Sequence, residues 1–484
     1  MISKLHEMLQ KKQISCLELT KAYVDSAKKL NDKFNAYVLI TEQLAFDSAK
    51  KVDEKIASGQ TLKLLEGIPA SLKDNISTKG IQTTCCSKIL QGYVPIYDAF
   101  VWKLLQDSGT VLVGKTNMDE FAMGSTCETS CFGGAKNSVD SSYVAGGSSG
   151  GAASAVGAGL CVFGLGSDTG GSVRQPASFC GLVGLKPTYG AVSRSGLIAY
   201  ASSLDQIGVL ALNARDTAIV FDQISAHDKA DFTCTGRLKK TLPELENKVV
   251  GLKIGFCEQL FNKATDEVKA GVKSGLKVFE QLGAEIINIE LPLVDYALAV
   301  YYIISCAEAS SNYGRYDGIR YGFRTTQPYS GVDDLICKTR SEGFGEEVQR
   351  RILLGTYVLS AGFYDAYYKK AKAVRQSISN GFDEVFKNCH VILTPTSPTT
   401  AIKSNTKFSD ATQSYNADCC TVPVNIAGLP AISIPCGFGE GGLPIGLQLI
   451  GQKFSESLLL CLANKFEEHT GGEFLPKIKE GVSF

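Results

Sequence analysis

YVAGGSSGGAASAVGAGLCVFGLGSDTGGSVRQPASFCGLVGLK, residues Tyr143 to Lys186, concentrates glycine and serine in an order that ordinary packing does not require. Ser148 stands inside Gly146-Gly147-Ser148-Ser149-Gly150-Gly151, and Ser172 closes Asp168-Thr169-Gly170-Gly171-Ser172. Glycines on either side let the backbone turn sharply and approach a ligand closely. The Ala/Gly-rich apolar run between the two serines suits a tightly packed, buried connecting element. The stretch predicts a serine-based catalytic centre, against the plainer reading of two glycine turns in a core.

Outward from this stretch the pattern is that of an α/β layer protein. Residues 1 to about 60 predict amphipathic helices that pack on the outside of a sheet. Ser15 and Glu18 have capping-box spacing, Leu17, Tyr23, Val24, Ala27 and Leu30 form an apolar stripe, and a second helix runs from about Thr41 to Gly59. Gly67 to Asn75 reads as extended chain, Asp98 to Gln106 as a capped helix and Thr110 to Val113 as a strand. A strand-helix-strand unit follows over Val249–Phe256, Asp266–Leu282 and Ile286–Leu291, and a hairpin over Ala431–Phe438 and Pro444–Ile450. Tyr301 to Ser379 is mostly helical, rich in tyrosine and arginine, and suited to shaping a pocket. With no repeat and no Pro/Ser linker, residues 1–484 predict one continuous domain.

The 49 basic and 49 acidic side chains balance, so no overall positive field draws in nucleic acid. Sixteen cysteines without a C-x-x-C pair predict reduced thiols and neither a disulfide framework nor a zinc site. The N-terminus lacks an apolar signal core, and the run Tyr296–Ala307 is too short to span a bilayer. These features predict a soluble cytoplasmic protein.

Two motifs mislead. Gly109 to Thr116, GTVLVGKT, matches the phosphate-loop expression, but Thr110-Val111-Leu112-Val113 is β-branched and apolar where that loop needs flexible residues. Gly146 to Gly150 fits G-x-S-x-G, the nucleophile elbow, which requires a preceding strand and a histidine base. Asn137 to Tyr143 is turn-like, and the four histidines suit other places: His6 in the first helix, His227 and His469 on the surface, His390 entering a buried strand. A neutral lysine is the alternative base for a serine. Lys73, ending the short apolar run Ala70-Ser71-Leu72, is the candidate, because lost hydration lowers an ammonium pKa. Pairing of Lys73 with Asp74 is the competing local reading, and Lys115 and Lys186 are rival lysines.

The block GGSSGG, the run GSDTGGSVRQPASFCGLVGLKPTYG and SLKDN upstream resemble the amidase signature family of amide hydrolases. The resemblance spans essentially the whole chain. KTNMDEFAMGSTCETSCFGGAKN, LIAYASSLDQIGVL, EASSNYGRYDGIRYG, LGTYVLSAGFYDAYYKKA and CTVPVNIAGLPAISIPCG are similar to the branch that serves tRNA-dependent amidation. Gly134 and Ala145 depart from that pattern, standing where prolines are expected.

The resemblance implies a single amidase-signature domain with a large mixed central β-sheet covered by helices on both faces. Its signature region lies at about 60–215 and its helical pocket-forming section at about 300–380. It implies a triad in which Ser172 is nucleophile, Ser148, on a cis peptide bond, relays the proton and Lys73 is the base. Thr169, Gly170 and Gly171 would offer backbone N–H groups to the oxyanion, and Ser149 would support the site. Asp168 and Arg174 read as a buried pair holding this turn. The implied substrate is glutamine, with Arg351 taking its carboxylate, Asp418 its ammonium and Tyr302 lining the pocket. From local sequence Arg350 is as good a candidate as Arg351, and Asp418 could instead cap the segment that follows. No cofactor or metal is implied in this chain. The implied partners are a B subunit, which holds ATP, Mg²⁺ and most of the tRNA contact, and a small C subunit.

Overall fold

The computed structural model describes residues 1–235, 239–407 and 415–483. Its N-terminal helices, Ile2–Gln10, Cys16–Phe34 and Glu42–Ala57, follow their local signals. The Ser15 side chain accepts from the Glu18 N–H, and Glu18 accepts the Ser15 N–H at 3.0 Å, completing the capping box. The buried stripe is Cys16, Leu19, Tyr23, Val24, Ala27, Leu30 and Phe34; Leu17 lies at its margin, half-buried. Asp98 does not cap the Phe100–Asp107 helix. That helix starts after Ala99, and Asp98 Oδ1 accepts the Lys79 N–H instead.

Among the described residues, eleven strands form one mixed sheet: β1 (Tyr37–Ile40), β2 (Pro69–Lys73), β3 (Val111–Thr116), β4 (Phe163–Asp168), β5 (Val183–Lys186), β6 (Gln206–Ala211), β7 (Lys253–Cys257), β8 (Glu285–Ile289), β9 (Val391–Pro395), β10 (Ala431–Phe438) and β11 (Pro444–Gly451). Their order is β1-β3-β2-β4-β6-β5-β10-β11-β9-β7-β8. β2 runs parallel to both β3 and β4, β7 runs parallel to β8 and β9, and the pairs through the middle are antiparallel. Every residue of β2, β3, β4, β5, β6, β9 and β11 is buried, so helices and loops cover both faces.

The expected hairpin is β10–β11, and the expected strand-helix-strand unit is β7, the helix Asp266–Gln281 and β8. Residues 109–116 continue from a turn directly into β3, so no phosphate-cradling loop forms there. Among the described residues, no helix is long and apolar enough to cross a membrane. Among the described residues, no disulfide joins any of the sixteen cysteines.

One core cluster joins the N-terminal helices to the signature stretch. A second, centred on Phe121, Tyr200, Tyr301 and Tyr313, lies beneath the helices Ala297–Asn312 and Glu346–Leu359. The site lies where the strand ends of β2 and β4 meet this second cluster.

Candidate active site

β2 lies between β3 and β4, so its last residue, Lys73, points its ammonium into a fully buried place. Lys73 Nζ lies 2.7 Å from Ser148 Oγ, 2.9 Å from Ser149 Oγ, 2.9 Å from Ser167 Oγ and 3.2 Å from the Ser167 carbonyl oxygen. Burial lowers its pKa from 10.5 to about 8, against the opposing pull of Asp119, Asp168 and Asp205. Three hydroxyls can rotate to accept or donate, so the cradle satisfies both the ammonium and the neutral amine. Asp74 is taken by another cation: its carboxylate lies 3.5 Å from Lys115 Nζ, which also donates to the Ile76 carbonyl and Thr83 Oγ1. Burial brings Lys186 to about 7, yet Lys186 Nζ donates to the Pro187 carbonyl, away from both serines. Geometry selects Lys73.

The Gly147–Ser148 peptide bond is cis. Gln175 holds this loop, accepting the Gly147 N–H at 2.9 Å and donating to the Ser125 carbonyl at 2.9 Å. Gly147 is required by space, since a Cβ there would lie 2.0 Å from Asp119 Oδ2 and 2.8 Å from backbone atoms of Ser125 and Thr126. The Ser149 N–H donates to the Ser172 carbonyl at 3.1 Å and ties the two serine loops together. Ser172 retains 7% exposure, whereas Lys73 and Ser148 have none. Of the three, Ser172 is the one a substrate can reach. Among the described residues, no imidazole hydrogen-bonds to either serine. His227 and His469 are on the surface as expected, while His390 is exposed at the start of the buried β9, where its Nδ1 accepts the Lys253 N–H.

The turn from Asp168 to Ser172 is built around a buried ion pair. Arg174 donates through Nε and a terminal nitrogen to both oxygens of Asp168, each at 3.0 Å, and reaches Gln448, Asn425 and the Thr421 carbonyl. Burial works against the Asp168 charge, but the Arg174 guanidinium holds the carboxyl well below the usual carboxylate range. Asp168 Oδ1 also accepts the Gly171 N–H at 2.8 Å. The Gly171 donor, expected to face an oxyanion, is therefore engaged inside the turn. The N–H groups of Thr169, Gly170 and Ser172 take no protein acceptor among the described residues. Gly171 sits at φ 139°, and a Cβ on it would meet Thr421 Oγ1 at 2.2 Å. Arg174→Leu leaves Asp168 buried and unpaired, and is expected to destabilise the fold by about 3–5 kcal/mol, read by thermal unfolding.

At the other end of the site the two adjacent arginines separate. Arg350 points to solvent and pairs with Glu347. Arg351 is 4% exposed, donating to Glu347 Oε1 at 2.7 Å and to the Tyr200 hydroxyl at 2.7 Å. The rings of Tyr200, Tyr302 and Tyr415 surround its guanidinium at 5.6, 5.1 and 5.6 Å, and Tyr302 stacks on Tyr415 at 4.2 Å. Asp418 ends the short turn Asn416–Asp418. It holds the next segment through its backbone: its carbonyl accepts from the Thr421 N–H and hydroxyl, while its carboxylate makes no hydrogen bond among the described residues. Burial raises that carboxyl to about 8, although Arg351 acts to lower it. A cationic ligand group beside Asp418 would restore its charge.

A cavity of about 550 Å³ adjoins these residues, with Ser125, Thr126, Gln175, Asn416, Ala417 and Cys419 in its wall. Neither Ser167 nor Asn75 has a role in the reading of the sequence, yet Asn75 Nδ2 donates to Ser167 Oγ at 2.9 Å and so orients a partner of Lys73. The short string from Ser71 to Asn75 holds that signal: the asparagine follows the lysine by two residues, at the mouth of the same strand. Among the described residues, no group of three or more His, Cys, Asp and Glu side chains could hold a metal ion.

A buried lysine joined to a serine on a cis peptide, with a second serine on a glycine turn, is an arrangement for splitting amides, and the chain belongs to the amidase family, whose family model matches residues 18–460. The chain is similar to the A subunit of glutamyl-tRNA(Gln) amidotransferase from Caldanaerobacter subterraneus subsp. tengcongensis, with 53% identity over 469 residues and 96% of each chain covered. It is also similar to the crystal structure of the corresponding A subunit from Thermotoga maritima, at TM-score 0.80 and 41% identity over 96% of this chain and 97% of that one. The peptide amidase of Stenotrophomonas maltophilia shares the fold at TM-score 0.84 and 27% identity, over 99% of this chain and 98% of that one.

Proposed function

We propose that this chain is the glutamine-hydrolysing subunit of a tRNA-dependent amidotransferase, using Ser172, Ser148 and Lys73 in sequence. Ser172 Oγ attacks the side-chain amide carbon of glutamine while its proton passes to Ser148, whose own proton passes to neutral Lys73. The Thr169 and Gly170 N–H groups, with that of Ser172, receive the oxyanion; Gly171 shapes the turn. Such donors contribute about 3–4 kcal/mol each in comparable acyl-transfer sites. The proton held by Lys73 returns through Ser148 to the leaving nitrogen, ammonia departs, and water hydrolyses the glutamyl ester by the same relay.

The observation that carries the substrate assignment is the buried Arg351 guanidinium together with the half-buried Asp418 carboxyl, which makes no hydrogen bond among the described residues. Arg351, already fixed by Glu347 and three tyrosine rings, matches an α-carboxylate, and the unpaired Asp418 carboxyl matches an α-ammonium. Tyr302, whose ring lies against the Arg351 guanidinium, would line the pocket. A stand-alone amidase for neutral or lipid amides has no use for this pair.

Ammonia made here would pass to a B subunit that uses ATP and Mg²⁺ to amidate Glu-tRNA(Gln), and in some systems Asp-tRNA(Asn), with a small C subunit clasping both. The balanced charge of this chain supports tRNA being held mainly by that partner. Residues 1–484 act as one amidase-signature domain, a reading supported by a sheet whose strands run from Tyr37 to Gly451. The absence of disulfides among the described residues supports a cytoplasmic setting.

Ammonia release from glutamine, measured for the chain with its B and C partners, tests the reading. A complex inert to glutamine but active on other amides would sink it. Arg351→Ala is expected to raise the KM for glutamine about 100-fold with a smaller effect on kcat. Arg350→Ala should leave both near wild type, and equal effects from the two variants would remove Arg351 from the pocket.

A further inference from the structure

Cys419 and Cys420 occupy the turn between Asp418 and the helix Val422–Ala427, with their sulfurs 3.8 Å apart. Cys420 is fully buried, whereas Cys419 is half-buried and lines the 550 Å³ cavity, so a small reagent that enters the cavity meets this residue. The neighbouring Cys420 thiol favours the thiolate of Cys419; burial opposes it and the Lys263 ammonium adds to the stabilisation.

The backbone of this pair is tied into the site on both sides. Asp418 precedes it. Thr421 follows it, donating from Oγ1 to the Gly170 carbonyl at 2.7 Å and accepting from Arg174 at 3.1 Å through its own carbonyl. The Cys420 carbonyl accepts from Gln448 at 3.0 Å. No shift in this turn leaves both Asp418 and the Gly170–Gly171 segment where they are.

We propose that Cys419 and Cys420 are a thiol-modification site, oxidised by a small disulfide to a vicinal cystine ring, and that closing the ring stops hydrolysis at Ser172. In the first step the Cys419 thiolate attacks one sulfur of the reagent, whose S–S bond breaks and releases one thiol. Cys420 then attacks the Cys419 sulfur of the mixed disulfide, loses its proton to the medium and expels the second thiol. The protein dithiol loses two electrons and two protons, and the reagent gains them as two thiols.

Closure brings the sulfurs from 3.8 Å to a bond of about 2.05 Å. Adjacent α-carbons across a trans peptide stand about 3.8 Å apart, closer than the roughly 4.4–6.8 Å of ordinary disulfides. The peptide between the two residues must therefore distort. That distortion reaches Thr421 and the turn it buttresses, as well as Asp418. A ring under such constraint is also readily reopened by a dithiol.

The activity half of this proposal rests on the glutaminase reading, and the ring itself is read independently by mass. The whole chain with its partners is treated with oxidised glutathione, in a Cys337→Ser background that removes the exposed thiol. The peptide containing Cys419 and Cys420 should lose the mass of its two thiol hydrogens, ammonia release should fall about 100-fold, and dithiothreitol should restore both. Cys420→Ala should keep untreated activity within about twofold and form no ring. A peptide that stays a dithiol or stops at a glutathione adduct overturns the proposal. So does a ring without loss of activity, or the same loss of two hydrogens in Cys420→Ala. Absence of ammonia release before any oxidation would instead count against the glutaminase reading, with the mass of the peptide still deciding whether the ring forms.

Discussion

Ser172→Ala is expected to lower glutamine hydrolysis by about 10⁴-fold or more while leaving the melting temperature close to wild type. The separation of the two effects follows from what the hydroxyl touches. Ser172 Oγ makes no hydrogen bond among the described residues, so its removal orphans no buried partner. The structural contact of this residue is its carbonyl, which accepts the Ser149 N–H at 3.1 Å and survives the change. The oxyanion donors and the Asp168–Arg174 pair are untouched, so the variant should still bind glutamine. With B and C partners present, amidation supplied with free ammonia should persist while glutamine-dependent amidation is lost. Loss of both, or a lowered melting temperature, would mean that Ser172 holds the turn and does not attack the substrate.

What the sequence made legible was chemistry with a local signature. The two glycine-set serines and a lysine at the end of a short apolar run are each visible within a few residues. What stayed hidden depends on distant packing. Tyr37–Ile40 is too short to show alternation and is a strand because Thr116, Lys115 and Gly114 supply its partners. Arg350 and Arg351 are neighbours on one helix, and only the tyrosine rings from three other segments decide which is buried. The Gly171 N–H looked free in a glycine turn, but Asp168, three residues earlier, curls back to take it. Ser167 gained its role only when β2 and β4 were laid side by side, because a parallel pairing brings the end of one strand to the end of the other.

Lys73→Met is expected to lower kcat by about 10³–10⁴-fold and to erase a pH dependence that the wild type should display. A lysine that receives a proton from Ser148 must start neutral, so wild-type activity should climb as pH rises through about 8, the value to which burial brings this amine. Stability carries the same signature with a definite sign. Between about 8 and the unperturbed 10.5 the unfolded chain binds more protons than the folded one, so stability rises with pH across that window. Below it both states are protonated, and the folded protein bears the full cost of the buried ammonium, roughly 3 kcal/mol. In Lys73→Met both the climb in activity and the rise in stability should vanish, which a merely structural lysine would not produce in the rate. Lys73→Arg completes the test. A guanidinium keeps the charge and the donors but is never neutral in this range, so it should be as inactive as methionine. Activity in the arginine variant would show that the site needs only a cation beside Ser148, and the serine-to-lysine proton relay would have to be abandoned.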